Sequence, residues 1–200
     1  MEMPSKLKLT YFDAGGRAEP IRAMLKYAGI AFTDERIPRR DFAAMKPFLQ
    51  LPFDQVPTLH VDGTVFAQSI AISRYAAKLS GLYPEDSIGA LEADLAVDTI
   101  TEATVAFIQA AFQEQDEEKK KQLLQDANDH VLPRLLGGLE KRALGPYYLG
   151  DAVSYPDFYI LDFHKQIWTA FSHLIKLKVD DYPKLKTIAT SLSSSSQLQN

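Results

Sequence analysis

The 200-residue chain has no cysteine at all. That excludes disulfide frameworks, thiolate metal sites and redox chemistry on a protein thiol, so a reaction at sulfur would need a ligand that brings its own thiol. Excess positive charge is missing too. Lys and Arg total 22 against 26 Asp and Glu, a net charge of -4, which leaves no basic footprint and no expected nucleic-acid partner. The histidines His60, His130, His164 and His173 are scattered without ligand spacing, so no metal is expected. No apolar run approaches the ~18 residues of a membrane span, and the opening MEMPSKLKLTYF lacks the apolar core of a signal peptide. A soluble, cytoplasmic protein with no membrane partner is the expectation. Trp168, the single tryptophan, reads as core, and no internal repeat is visible.

With 46% hydrophobic and 24% charged residues, the chain can build one large or two small cores. Leu7 to Tyr11 (LKLTY) alternates as a short strand, and Asp13 to Gly16 is a turn. Arg17 to Ala28 places Ile21, Met24, Leu25 and Ala28 on one helix face, with Pro20 in the first turn and Gly29 as the stop. Phe32 to Ile37 is a second strand, and a helix-length crossover between strands is the signature of a parallel pair. Asp41 to Leu49 is a short second helix.

The segment Leu51 to Tyr75 concentrates the most unusual local chemistry. Thr58 to Val61 and Thr64 to Ala67 are β-type runs joined by Asp62-Gly63, which supplies the positive φ angles of a two-residue hairpin turn. Val56-Pro57 puts a residue without an N–H at the strand's start, where a cis bond often makes a tight turn. Gln68-Ser69 opens a helix with Ile70, Ile72, Ala76, Ala77 and Leu79 facing inward. A helix start carries unpaired N–H groups and partial positive charge, so it can hold a carboxylate. Each piece alone has a structural explanation, Ser69 as a plain cap included; together they mark a ligand site. Residues 6 to 80 thus read β-α-β-α-β-β-α, a complete small α/β domain.

Gly81 to Ser87 (GLYPEDS) collects breakers, and strand signals almost vanish beyond it. Ala90 to Gln115 and Lys119 to Ala143 are long helices, the second kinked at Pro133, and the mixed-sign run Glu117 to Lys121 is a solvated helix start. Ser154 to Asp157 (SYPD) has capping-box spacing before the apolar Phe158, Ile160, Leu161 and Ile167, and predicts a buried helix. Tyr182 to Leu192 is a last helix, and Ser193 to Ser196 frays. The domains are therefore an α/β unit at 5–82, a linker at 83–87 and an all-helical unit at 88–200.

Four blocks, YFDAGGRAEPIR, LPFDQVPTLHVDG, QSIAISRYAAK and YYLGDAVSYPDF, run in this order over nearly the whole chain. Together they resemble a cytosolic glutathione transferase, and the Tyr-Phe start with this hairpin is most similar to the sigma class. The resemblance implies a thioredoxin-like N-terminal domain that binds glutathione, an all-α C-terminal domain that supplies a pocket for an apolar electrophile, and a homodimer. It implies a detoxifying transferase that joins glutathione to the electrophile. A glutathione-dependent isomerase of the prostaglandin D synthase type, or a peroxidase, would use the same first site. A non-catalytic, crystallin-like structural or ligand-binding relative is the alternative from a different class.

The resemblance also assigns roles. A thiol of pKa about 8.5 is mostly protonated at neutral pH, whereas the nucleophile is the thiolate. Tyr11 is the implied catalytic residue: a phenol of pKa about 10 stays protonated and donates its O–H to the sulfur. Such a bond is worth about 1.5 to 3 kcal/mol, or about one to two pKa units, and the helix start at 16–17 adds about 0.3 to 1 kcal/mol. Phe12 walls the site, and Arg17 supports it through an ion pair with Glu19 or another acid. Val56, before the cis Pro57, pairs its backbone with the cysteinyl unit like an added strand, with Gln55 alongside. Gln68 and Ser69 hold the γ-glutamyl carboxylate and amine; Lys46 meets the glycyl carboxylate, unless it is merely a solvated helix lysine. Phe53 lies where related classes insert an aromatic residue into the partner subunit.

Three features depart from the family pattern. Phe42 stands where a tryptophan usually donates its indole N–H, so weaker glutathione binding is expected. Ala106 replaces an acid that the partner subunit lends to the site, and Glu102 lies one turn earlier. The chain ends at Asn200, sooner than relatives do, which would leave the electrophile pocket open or truncated.

Overall fold

The structure, a computed structural model, describes residues 3–198. Met1, Glu2, Gln199 and Asn200 lie outside the described residues. The chain forms two compact units, Met1–Tyr83 with Ser196–Asn200, and Pro84–Ser195.

The first unit is built from β1 (Leu7–Phe12), α1 (Glu19–Tyr27), β2 (Thr33–Ile37), α2 (Phe42–Met45), β3 (Thr58–Val61), β4 (Thr64–Ala67) and α3 (Ser69–Leu79). The sheet order is β2-β1-β3-β4, with β1 and β2 parallel and the other pairs antiparallel. At the hairpin, Asp62 and Gly63 take φ of 47° and 92°, as the two-residue turn demands. The second helix is shorter than expected, a four-residue turn flanked by 3-10 turns at Arg39–Asp41 and Lys46–Phe48. Pro47 has no N–H to give an i−4 carbonyl, so the chain tightens there instead of continuing as α-helix. A second difference is at the C-terminus: Ser196–Leu198 form a 3-10 turn that packs on α1 and belongs to the first unit, not to the helical one.

The two sheet faces differ in chemistry. Leu7, Leu9 and Tyr11 of β1, with Leu59 of β3, are buried together with Ile21, Met24, Leu25, Ile72, Ala76 and Ala77 of α1 and α3. The opposite face is polar. Thr10 pairs in register with Thr58 and Glu35, and Lys8 with His60. Glu35 accepts from Thr10 Oγ1 at 2.7 Å and Lys8 Nζ at 3.1 Å, and these bonds, the threonine's first, hold its carboxyl below the usual range.

The second unit contains α4 (Ser87–Ile108), α5 (Glu117–Asp126), α6 (Leu132–Arg142), α7 (Tyr155–Phe163) and α8 (Pro183–Ser193). Wide π turns at Gln109–Gln113, Ala127–Val131 and His164–Thr169 extend α4, link α5 to α6 and extend α7. The expected helix over Lys119 to Ala143 is therefore two α segments meeting in a π turn just ahead of Pro133, whose missing N–H the altered ladder accommodates. The segment Ser87–Gln113 is long and apolar enough by length and composition to cross a membrane, which corrects the expectation that no run comes near that length. Isolated acids interrupt the run in sequence, but the whole helix averages apolar, and Ala93, Ala96, Val97, Ile100, Ala103 and Phe107 are buried in the unit's core. α7 opens with the expected capping box at Ser154 and Asp157.

Candidate active site

Alternation along β1 puts Tyr11 on the apolar face at the strand's end, where it is 7% exposed. The chain then turns through residues 13–16 and enters a 3-10 turn at Gly16–Ala18. Gly16 has φ of +51°, and a Cβ there would sit 2.9 Å from the Tyr11 hydroxyl oxygen, so both backbone and space demand glycine. The next residue, Arg17, donates its backbone N–H to Tyr11 Oη at 3.3 Å. One lone pair of the phenol oxygen is thus occupied by a main-chain donor, which leaves the hydroxyl's own proton free to donate to a ligand.

Arg17 links this tyrosine to a shallow cleft, which it lines together with Phe53, Gln55, Val56, Pro57, Ala67, Gln68 and Ser69. The Val56-Pro57 bond is cis, and among the described residues the Val56 backbone N–H and C=O make no hydrogen bond. Both groups remain available to an extended peptide. Gln68 caps α3 from an unusual backbone position, φ 74° and ψ 104°, which costs about 1 to 3 kcal/mol for a residue with a side chain. No side chain caps this helix start, and its first residues Gln68 and Ser69 line the cleft, an arrangement suited to a carboxylate.

Beside this cleft stands an aromatic group. Tyr11 contacts Phe12 with ring centroids 5.2 Å apart, and Phe12 meets Phe42 edge-on at 5.1 Å with Arg39 over its ring at 4.6 Å. Lys46 pairs with Asp54 at 3.5 Å, one residue before Gln55. Glu102, in the second unit, pairs with Arg134 at 2.8 Å, so it would have to leave that partner to serve a ligand.

One expectation is corrected. Arg17 makes no ion pair among the described residues, and Glu19 pairs with Arg22 at 3.4 Å. Glu19 and Arg22 are three apart on one helix and share a face, whereas Arg17 precedes the helix. Arg22 itself escaped sequence reasoning. It is buried to 1% exposure, binds Asp34 through Nε at 2.9 Å and the Ala14 carbonyl at 2.7 Å, and lies 5.8 Å from the Tyr11 ring centroid. The signal available was an arginine set among Ile21, Met24 and Leu25 on the apolar side of α1. Phe53 was read only as a dimer contact, yet it lines the cleft, and Ala67 was missed because a small apolar residue carries no pattern.

Residues 7–78 match the profile of the glutathione S-transferase N-terminal domain, and residues 102–200 that of the glutathione S-transferase C-terminal domain. The chain is 35% identical to hematopoietic prostaglandin D synthase of Mus musculus over 187 residues, covering 90% of this chain and 87% of that one. It is 38% identical to glutathione S-transferase 1 of Ascaris suum over 161 residues, 78% of this chain and 77% of the relative. Among solved structures, prostaglandin synthase D of Nilaparvata lugens superposes with a TM-score of 0.85 at 30% identity, over 97% of this chain and 95% of that one.

Proposed function

The chain belongs to the glutathione S-transferase family, and from that premise we propose that it joins glutathione to apolar electrophiles, with Tyr11 stabilising the thiolate. The observation that carries this reading is the Tyr11 hydroxyl, whose oxygen accepts from Arg17 N–H at 3.3 Å and whose proton is free to donate. A bond to the sulfur anion favours ionisation of the thiol, whose proton goes to solvent. The thiolate's electron pair then forms the carbon–sulfur bond as the leaving group departs with its own pair. The Val56 backbone extends the tripeptide as an added strand, and the α3 start with Gln68 and Ser69 takes the γ-glutamyl end. Arg17 closes the cleft wall by position, and Lys46 takes the glycyl carboxylate by releasing Asp54. We further assign the chain to the sigma class, as a cytoplasmic homodimer.

A second reading, glutathione-dependent isomerisation of a prostaglandin endoperoxide, is favoured by the several similar proteins named hematopoietic prostaglandin D synthase. Both readings share the thiolate and differ in the second substrate. Conjugation of 1-chloro-2,4-dinitrobenzene and isomerisation of the endoperoxide, measured side by side, separate them. Tyr11→Phe should lower kcat/KM about ten- to hundredfold in whichever assay is active; full activity after that change would overturn the role of Tyr11.

A further inference from the structure

Arg22 and Asp157 are the only fully buried charged side chains among the described residues. An interior guanidinium loses much hydration, and an apolar residue of similar volume often packs as well. The fork must therefore supply something that packing would not. Its donors converge on one short stretch of main chain: the carbonyls of Phe12 at 3.4 Å, Ala14 at 2.7 Å and Gly15 at 3.5 Å. Asp34 anchors the fork through Oδ1, and through Oδ2 it binds Arg36, which reaches Asp13 at 3.4 Å. Every residue of the 12–15 stretch is thus tied back by this network. That stretch ends at Gly16, whose α-carbon faces the phenol, and at Arg17, whose N–H bonds it.

We propose that Arg22 is a positioning residue for the thiolate chemistry: it fixes the turn after β1 so that the Arg17 N–H meets the Tyr11 oxygen and aims the hydroxyl proton at the sulfur. This rests on the role given to Tyr11 above. Lysine cannot replace it, since a point charge does not reach three carbonyls and a carboxylate at once.

The test titrates the thiolate of bound glutathione by its ultraviolet absorbance, in the intact enzyme, for Arg22→Met and Arg22→Lys placed in both the native and the Tyr11→Phe backgrounds. Tyr11→Phe alone should raise the bound thiol's pKa by about one to two units. Arg22→Met should raise it by about one unit with Tyr11 present and leave it unmoved with Phe at that position. Arg22→Lys should behave like Arg22→Met. Asp34→Asn, which loosens the fork without removing it, should give a smaller shift of the same sign, and it decides the matter if the Arg22 variants fail to fold. No shift in a folded variant, equal shifts in both backgrounds, or full rescue by lysine would overturn the inference alone. No shift in Tyr11→Phe itself would overturn the reading of Tyr11 first, and the inference with it.

Discussion

Two helix starts in this chain are built in opposite ways. At α7, the Asp157 carboxylate accepts from Tyr148 N at 2.7 Å, Ser154 N at 2.7 Å and Ser154 Oγ at 2.8 Å, all of them buried. At α3, no side chain caps the helix, and Gln68 holds a positive φ. The first start has committed its polar groups to the protein, and the second has kept them for something else. Backbone strain follows the same division: Asp54, Asp62 and Gln68, the non-glycine residues at positive φ among those described, all lie in the first unit. A saturated helix start makes structure, and an unsaturated one on a strained residue keeps its donors available.

The contrast is most directly broken at Asp157. Asp157→Ala leaves three buried donors without an acceptor, at about 1 to 3 kcal/mol each, so a loss of about 4 kcal/mol is expected in denaturant unfolding. A loss under about 1 kcal/mol would mean that this start is no better closed than that of α3.

The pH dependence has a defined sign. Burial pushes the Asp157 carboxyl up to about 6, against the opposing pull of its donors. With the folded value above the unfolded value of about 4, the folded state holds the proton longer, and stability falls as pH rises from about 4 to about 6. The change should be at most about 3 kcal/mol, and Asp157→Asn should flatten it in unfolding curves taken across that range.

Gly16→Ala probes the other wall of the uncommitted region, the turn against Tyr11. Its Cβ would meet the Tyr11 hydroxyl at 2.9 Å on a backbone of φ +51°, so about 1 to 2 kcal/mol of stability should go, with a larger fall in kcat than in binding. The smallest effect is expected at Phe42. Phe42→Trp adds an indole donor beside Phe12, and calorimetry should show glutathione bound about fivefold tighter; unchanged affinity would show that the missing donor does not limit binding.

Local chemistry was the legible part. The hairpin strands fall at the expected residues because Asp62-Gly63 fixes the turn by itself, and the Ser154-Asp157 box marks the start of α7 through a three-residue spacing. Features set by distant partners were not legible. The grip of Arg22 on carbonyls eight and seven residues back depends on how segments meet, whereas the truncation of α2 at Pro47 and the π turn ahead of Pro133 have local causes that propensity does not resolve into a particular geometry. The cleft is a mixed case. Its helix start and cis-proline strand were readable as local structure, but the meeting of Arg17 with Gln55 and Gln68 in one cleft was implied only by family resemblance.

The two-faced sheet has a consequence for how the enzyme is made. Leu7, Leu9 and Tyr11 share one side of β1, and Lys8 and Thr10 the other. Sliding β1 by a single residue against β3 would drive an ammonium group into the hydrocarbon interior and strand two leucines outside. Mispaired chains are thereby rejected during assembly, and because Tyr11 travels with those leucines, the same proofreading that aligns the strands also sets the side from which the Tyr11 hydroxyl emerges.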